Sequence, residues 1–285
     1  MKTLDLCVIA DRFCATSRTY LTYLKANGYK VRKVLLVDFT GPHEPSRAMA
    51  QRWGRLIAGI LKQRIRLPDR DYPTEFQAVC ERVQASLPVK VDYFGRFDFS
   101  VHADQVEHFV AEDYDDPDLH RRLAREGRAT FLYTNGGRVP AVVLERAGQR
   151  ILHIHPGVVP EMKGSDCLFW SLLTRGRPGM SCFYMNAGID TGDVILTREF
   201  DAPHFPELAE LSARDPDLAY RALLHAYDPH LRALTLLDVI ATAGDRPLDQ
   251  LASVRQQPGA GRAFFWMHPR LVSHVLVRIS ESAPA

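Results

Sequence analysis

Apolar residues fall in short continuous runs and, between them, at helical spacing. The run LDLCVIA (4–10) predicts a buried strand. SRTYLTYLKANG (17–28) has the spacing of a helix, with Gly28 as its stop signal. YKVRKVLLVD (29–38) predicts the next strand. Strand, helix and strand in that order make a βαβ unit, which requires a parallel sheet. Residues 46–86 read as mainly helical, in the pieces RAMAQRWGRLIAGILKQRI and PTEFQAVCERVQAS. So long a detour between strands reads as an insertion. Alternation resumes with a strand at VEHFVAE (106–112) and a helix at DDPDLHRRLAREG (115–127). Strands follow at ATFLYT (129–134) and RILHIH (150–155), then a helix at SDCLFWSLLTRG (165–176), capped by Ser165. SCFYMNAG (181–188) and DVILTREF (193–200) predict two more strands. Residues 207–244 read as helical throughout. The tail is turn-rich over 256–271 and closes in a short helix or strand. The pattern predicts an α/β fold. It is a Rossmann-like parallel sheet with a mixed edge, flanked by helices, with a helical insertion at 46–86 and a mainly helical C-terminal extension. The main domain is expected over 1–203 and the extension over 204–285.

Composition narrows the class. With 285 residues, 46% of them hydrophobic, the chain can bury a large core. The net charge of +2 is nearly balanced. The one cationic cluster, LKQRIRLPDR (61–70), reads as a solvated helix face, so no nucleic-acid footprint is expected. No apolar run approaches the length of a membrane span. The opening MKTLDLCVIADRF is broken by Asp11 and Arg12 and reads as a first strand, not a signal peptide. Five scattered cysteines without a CxxC spacing argue against a disulfide framework and for a reduced, cytoplasmic setting. The first strand–helix turn lacks GxGxxG, which excludes a dinucleotide fingerprint there.

Ligands of an open parallel sheet bind beyond the carboxyl ends of its strands. Three polar segments fall at such ends: NGGRVP (135–140), HIHPG (153–157) and NAGIDTGD (186–193). They carry Asn135, His153, His155 and Asp190, among glycines that let backbone approach a ligand closely. His153 and His155 lie two apart on a strand and so point to one side. With Asp190 they could be catalytic groups, a two-His, one-carboxylate metal site, or polar residues ending a strand. The aromatic cluster FFWMHP (264–269) could stack on a planar ligand, but packing is the expected role.

ILHIHPGVVPEMKGSD (151–166) and FYMNAGIDTGDVI (183–195), separated by one helix, resemble the formyltetrahydrofolate-dependent formyltransferases. These act on glycinamide ribonucleotide, methionyl-tRNA, amino sugars or hydroxyornithine. Their signature is an Asn-x-His-Pro-Ser element, a Leu-Pro-x-x-x-Gly element and an Asp in (Leu/Val)-Asp-x-Gly. The resemblance is strong over 129–200, rests on the βαβ pattern over 1–40, and is faint elsewhere. It implies that His155 and Asp190 are the catalytic His and Asp. His153 stands where the family has Asn, and Gly157 where it usually has Ser. The co-substrate implied is 10-formyltetrahydrofolate. Arg138, Val139 and Pro140, with Asn135 and Gly137 beside them, match the loop that packs on its pterin. The backbone around Ala187, Gly188 and Ile189 matches the loop that hydrogen-bonds it. His155, kept protonated by Asp190, and His153, as a neutral donor, would hold the carbonyl oxygen. Asp190 would take the amine's proton, and no metal is needed.

The acceptor implied is a small-molecule amine: an amino sugar nucleotide, or an ornithine-type or other amino compound of a specialised biosynthetic pathway such as siderophore synthesis. The tRNA enzymes carry a C-terminal β-barrel where this chain reads as helical, so nucleic acid is not the expected partner, nor is a membrane. The 46–86 insertion or the 207–244 helices are expected to select the amine. Three alternatives stay open: a metal-dependent hydrolase using His-x-His plus Asp, a formyltetrahydrofolate hydrolase, and a folate-binding protein without turnover. Oligomeric state is left open, a homodimer being one option.

Overall fold

The computed structural model describes residues 1–39, 72–134 and 139–281. In chain order, β1 (Lys2–Ala10), α1 (Ala15–Ala26) and β2 (Tyr29–Phe39) form the expected βαβ unit. Of the 46–86 insertion, residues 46–71 lie outside the described residues. The rest contains α2 (Thr74–Ala85). There follow β3 (Ala103–Ala111), α3 (Pro117–Ala124), β4 (Ala129–Tyr133), a short α4 (Ala141–Leu144) and β5 (Gln149–Pro156). Next come β6 (Met162–Gly164), α5 (Cys167–Arg175), β7 (Gly179–Tyr184) and β8 (Asp193–Glu199). The C-terminal part holds α6 (Ala209–Arg214), α7 (Pro216–Ala222), α8 (Asp228–Ala243), β9 (Arg262–Phe264) and α9 (Pro269–Glu281).

The main sheet has seven strands in the order β3-β2-β1-β4-β5-β7-β8. β1 pairs in parallel with β2 (Lys2↔Tyr29), and β4 with β5 (Ala129↔Gln149). β8 runs antiparallel to β7 (Gly179↔Glu199) and supplies the mixed edge. β1 lies between two neighbours, and Leu6 through Ala10 are all buried. That is why its sequence is a continuous apolar run and not an alternating one.

The chain divides into two compact units. The first comprises 1–71, 92–152 and 247–250, the second 72–91, 153–246 and 251–285. In the first, the buried carboxylate of Glu126 accepts from Lys33 Nζ (2.6 Å), Arg122 Nη2 (2.7 Å) and Arg32 Nη1 (3.0 Å). Burial alone would raise its pKa, but these bonds hold it down at about 2. In the second, α9 buries Val272, Val275, Leu276 and Ile279, a stripe at helical spacing, against α6 and α7. The tail thus ends in a helix, preceded by a strand, β9, that pairs with β6.

Residues 207–244 are helical apart from one break, at Asp215–Pro216, where proline has no N–H for the preceding turn. The Asp215 carboxylate caps α7 by accepting from Leu218 N (3.0 Å), and a π-type turn at Leu223–Tyr227 carries the helix on into α8, with Pro229 in its first turn. One local expectation is corrected: Ser165 does not cap α5. The N-cap is Asp166, in a left-handed conformation (φ 54°), and its carboxylate is engaged by tertiary partners instead. It accepts from Tyr220 Oη (2.6 Å) and Met267 N (2.7 Å). No helix of the described residues is long and apolar enough to cross a membrane.

Candidate active site

The end of β5 carries both histidines. As the two-residue spacing requires, their rings lie on one side, with centroids 6.3 Å apart. Both rest near the Phe183 ring of β7, at 5.6 Å for His153 and 6.4 Å for His155. Asp190 comes from the loop between β7 and β8 and adopts φ 51°, a conformation uncommon outside glycine. Its Oδ1 lies 3.5 Å from His155 Nδ1, and its Oδ2 accepts from Gly164 N at 2.8 Å. Nitrogen or oxygen atoms of His153, His155 and Asp190 all lie within 4.8 Å of one another. The three residues that sequence spacing singled out therefore meet in one place, within the second unit.

His155 is 3% exposed. Burial, and secondarily the positive charge of Arg232, push its pKa down to about 3. The ring is therefore neutral at pH 7 despite the carboxylate 3.5 Å away. This corrects the expectation that Asp190 keeps it protonated. A neutral imidazole still offers one N–H donor.

Gly157 follows the histidine strand at φ 150°. A Cβ there would meet Met162 O at 3.0 Å and His155 Nε2 at 3.2 Å. The site as built thus has little room for the serine of the resembling motif.

Around these groups lie residues that sequence reading missed. Arg232 of α8 donates to the carbonyl of Ile154, between the two histidines, at 2.5 Å and to Asp228 at 2.6 Å. Gln256 donates its amide to the carbonyls of Asp190 (2.9 Å) and Gly192 (2.8 Å). Ser181 Oγ donates to Gly157 O (2.7 Å) and accepts from Val159 N (3.0 Å). The Asp228/Arg232 spacing of four on a helix was a visible signal. Nothing in the local sequence marked Gln256.

The other sequence candidates are less uniform. Val139 is buried and Pro140 half-buried at the start of α4, in the first unit. Asn135, Gly137 and Arg138 lie outside the described residues. Ala187, Gly188 and Ile189 are exposed, in a loop pinned by Asn186. Its Oδ1 accepts from Gly188 N (3.0 Å) and Thr191 Oγ1 (2.6 Å), an Asx-type turn. A cavity of about 290 Å³ in the first unit is lined by Arg12, Arg96, Phe97 and His108, among others, and by none of the three.

The segment matches a known family. Residues 130–227 fit the model of formyl transferases and include β4 from its second residue on, β5, both histidines and Asp190. Methionyl-tRNA formyltransferase of Solibacter usitatus is 30% identical over 88 residues, 30% of this chain and 28% of that protein. The Syntrophus aciditrophicus enzyme of the same name is 30% identical over 92 residues, 32% of this chain and 30% of that protein. The chain thus spans less than a third of the length of these relatives. Among solved structures, a sugar N-formyltransferase from Shewanella aligns over 99% of this chain and 89% of its own, with 10% identity and a TM-score of 0.47. Residues 130–227 are thus similar to formyl transferases, and they hold the motifs at 151–166 and 183–195.

Proposed function

We propose that the protein transfers the formyl group of 10-formyltetrahydrofolate to the amine of a small molecule. The observation that carries this reading is the pairing of His155 with Asp190 at 3.5 Å beside His153, inside the segment matched by formyl transferases. The amine attacks the formyl carbon, a C–N bond forms, and charge develops on the formyl oxygen. Imidazole N–H groups of His155, kept neutral by burial, and of His153 stabilise that oxygen in a largely buried site. Asp190 accepts the amine's proton, directly or through water. The bond from the carbon to the folate nitrogen then breaks, and that nitrogen takes a proton as tetrahydrofolate leaves. Val139, Pro140 and the undescribed Asn135, Gly137 and Arg138 hold the pterin by resemblance, together with the backbone of 187–189. We assign the reaction to residues 1–203 and selection of the amine to the 46–86 insertion or the 207–244 helices. The acceptor is an amino sugar nucleotide or an ornithine-type amine, and the setting is cytoplasmic. Five free cysteines support that setting.

The decisive experiment incubates the protein with 10-formyltetrahydrofolate and a panel of amines, following tetrahydrofolate and formamide together. Amine-dependent release of both is expected. Tetrahydrofolate and formate appearing without amine would identify a hydrolase instead. One observation favours a second reading: the trio's compactness, two imidazoles and a carboxylate within 4.8 Å of one another, would also suit a divalent transition metal. In that case a metal-dependent hydrolase, stoichiometric metal would be found in purified protein and chelation would abolish activity.

A further inference from the structure

The cavity of about 290 Å³ in the first unit is a feature that the reaction chemistry does not use. Its size lies at the lower edge of the range of ligand pockets, roughly 300–1,000 Å³, and suits a small molecule. Its floor is the sheet. Val106 and His108 lie two apart on β3 and so face one side, and Leu36 of β2 is in register with His108. Phe97 and Phe99 form an apolar wall. Their rings meet edge to face, with centroids 4.9 Å apart, and Phe97 also stacks on His102 at 4.7 Å with the planes 6° apart. The wall is therefore set by its own packing before anything binds.

Three arginines line the same space, each from a different segment: Arg12 after β1, Arg18 in α1 and Arg96 in the loop before β3. Arg18 is 2% exposed. Its guanidinium donates to the carbonyls of Arg12 (3.2 Å), Asp92 (3.0 Å) and Gly95 (2.9 Å), which ties the other two arginine-bearing segments to α1. Arg12 Nη2 is buried and has no hydrogen-bond acceptor among the described residues. Its contact with Asp38 Oδ2, at 3.9 Å, is ionic only. A buried donor without an acceptor costs free energy, and a guanidinium short of acceptors in a cavity wall is a place for a ligand's oxygen atoms.

The charges set what the ligand carries. Asp98 also lines the cavity, with its carboxylate accepting from Ser100 N (2.9 Å) and Oγ (2.6 Å), bonds that hold its pKa below the usual range. His108 is neutral at pH 7, because burial and then the charge of Arg12 lower its pKa against the pull of Asp38. Three guanidinium groups set against Asp98 and Asp38 leave a single positive charge, which one carboxylate neutralises. A phosphate dianion would exceed it and has no apolar body to meet Phe97, Leu36 and Val106. An ammonium would be repelled, so the amine acceptor is not the occupant.

We propose that this cavity binds a small monocarboxylic acid with an aromatic or aliphatic body. The carboxylate meets Arg12 and Arg96, and the body lies against Phe97 over Leu36 and Val106. None of His153, His155 and Asp190 lines the cavity, and the site stands independently of the formyl-transfer reading.

The test titrates the full chain with benzoate and with hexanoate by calorimetry. Benzamide, which has the shape of benzoate without its charge, and inorganic phosphate serve as comparison ligands. At least one of the acids should saturate the protein, with benzamide and phosphate each at least ten-fold weaker. The ring resonances of His108 should shift along the same titration. Arg12→Gln and Arg96→Gln should each weaken the acid roughly ten-fold or more, as loss of a hydrogen bond to a charged group does. Arg96 is exposed, so its substitution leaves the fold intact, which unchanged thermal melting would establish. If Arg12→Gln melts early for want of its contact with Asp38, Arg12→Lys keeps the charge, removes the guanidinium fork and repeats the measurement. His155→Ala should bind the acid as the parent does. The proposal is overturned if neither acid saturates the protein, if binding is indifferent to both arginine substitutions, or if phosphate or benzamide binds as tightly as the acid. It is overturned also if 10-formyltetrahydrofolate displaces the acid, which would make the cavity part of the co-substrate's site.

Discussion

His153 holds the position of an amide in the resembling motif, and its ring shares Phe183 with that of His155. If it serves as an N–H donor to the formyl oxygen, His153→Asn should keep most of the rate and His153→Ala should lose on the order of 10²–10³ in kcat. Equal inactivity of the two would assign His153 a task an amide cannot perform, such as proton transfer or metal ligation. His155→Ala and Asp190→Ala should each lose a similar factor while melting normally, and steady-state rates near the parent's would remove either residue from the mechanism. The neutral state of His155 has its own signature. With burial and Arg232 holding its pKa at about 3, its ring proton resonances should not move between pH 5 and pH 8, where an ordinary histidine titrates. The spacing of His153 and His155 was legible because strand geometry fixes the side of residues two apart. The charge state was not, because it depends on burial and on Arg232, 77 residues further along the chain from His155.

Elements from far along the chain hold the site in place. α8 brings Arg232 and Asp228 behind the histidine strand as a buried pair with a 2.6 Å hydrogen bond. Burial raises the Asp228 pKa, against the opposing pull of Arg232. Removing the guanidinium leaves a buried carboxylate uncompensated. Arg232→Met should therefore cost about 3–5 kcal/mol in urea unfolding. The loss should be larger at pH 7 than at pH 5, since a carboxyl with a raised pKa escapes the penalty by taking a proton as pH falls. The segment after α8 acts on the other side. Gln256 grips the carbonyls of Asp190 and Gly192, and Val254 pairs with Val194 (2.7 and 2.8 Å). Gln256→Ala should lower kcat by about 10- to 100-fold with little change in the folate KM, because a carboxylate displaced by an ångström loses its alignment. An unchanged kcat would show that the loop holds its shape without the amide. Element types could be read from periodicity and from prolines. Which elements press on the site could not.

For the whole molecule, the buried neutral histidines set the response to acid. His155 has its pKa at about 3, and His230, lowered chiefly by burial and then by Arg198, at about 4. Both values lie below the ordinary 6.5, so the unfolded chain binds these protons first. Their contribution to stability is complete above pH 6.5 and is lost as pH falls toward 4 and then 3. Each contributes a slope of up to about 1.4 kcal/mol per pH unit in that window. Unfolding free energy measured from pH 7 to pH 4.5 should fall accordingly, and a flat profile would show that these rings are solvated. By itself the sequence determined the βαβ opening, the parallel sheet and the convergence of His153, His155 and Asp190. Those follow from periodicity, from the rule that strand ends face ligands, and from motifs that are local in the chain. Tertiary structure alone decided the neutral charge of His155, the clamp by Arg232 and Gln256, the exposure of Phe265 and Trp266, and the gathering of Arg12, Arg18 and Arg96 about one cavity. Each of these depends on which distant segment is packed nearby, and burial and charge act through space, not along the chain.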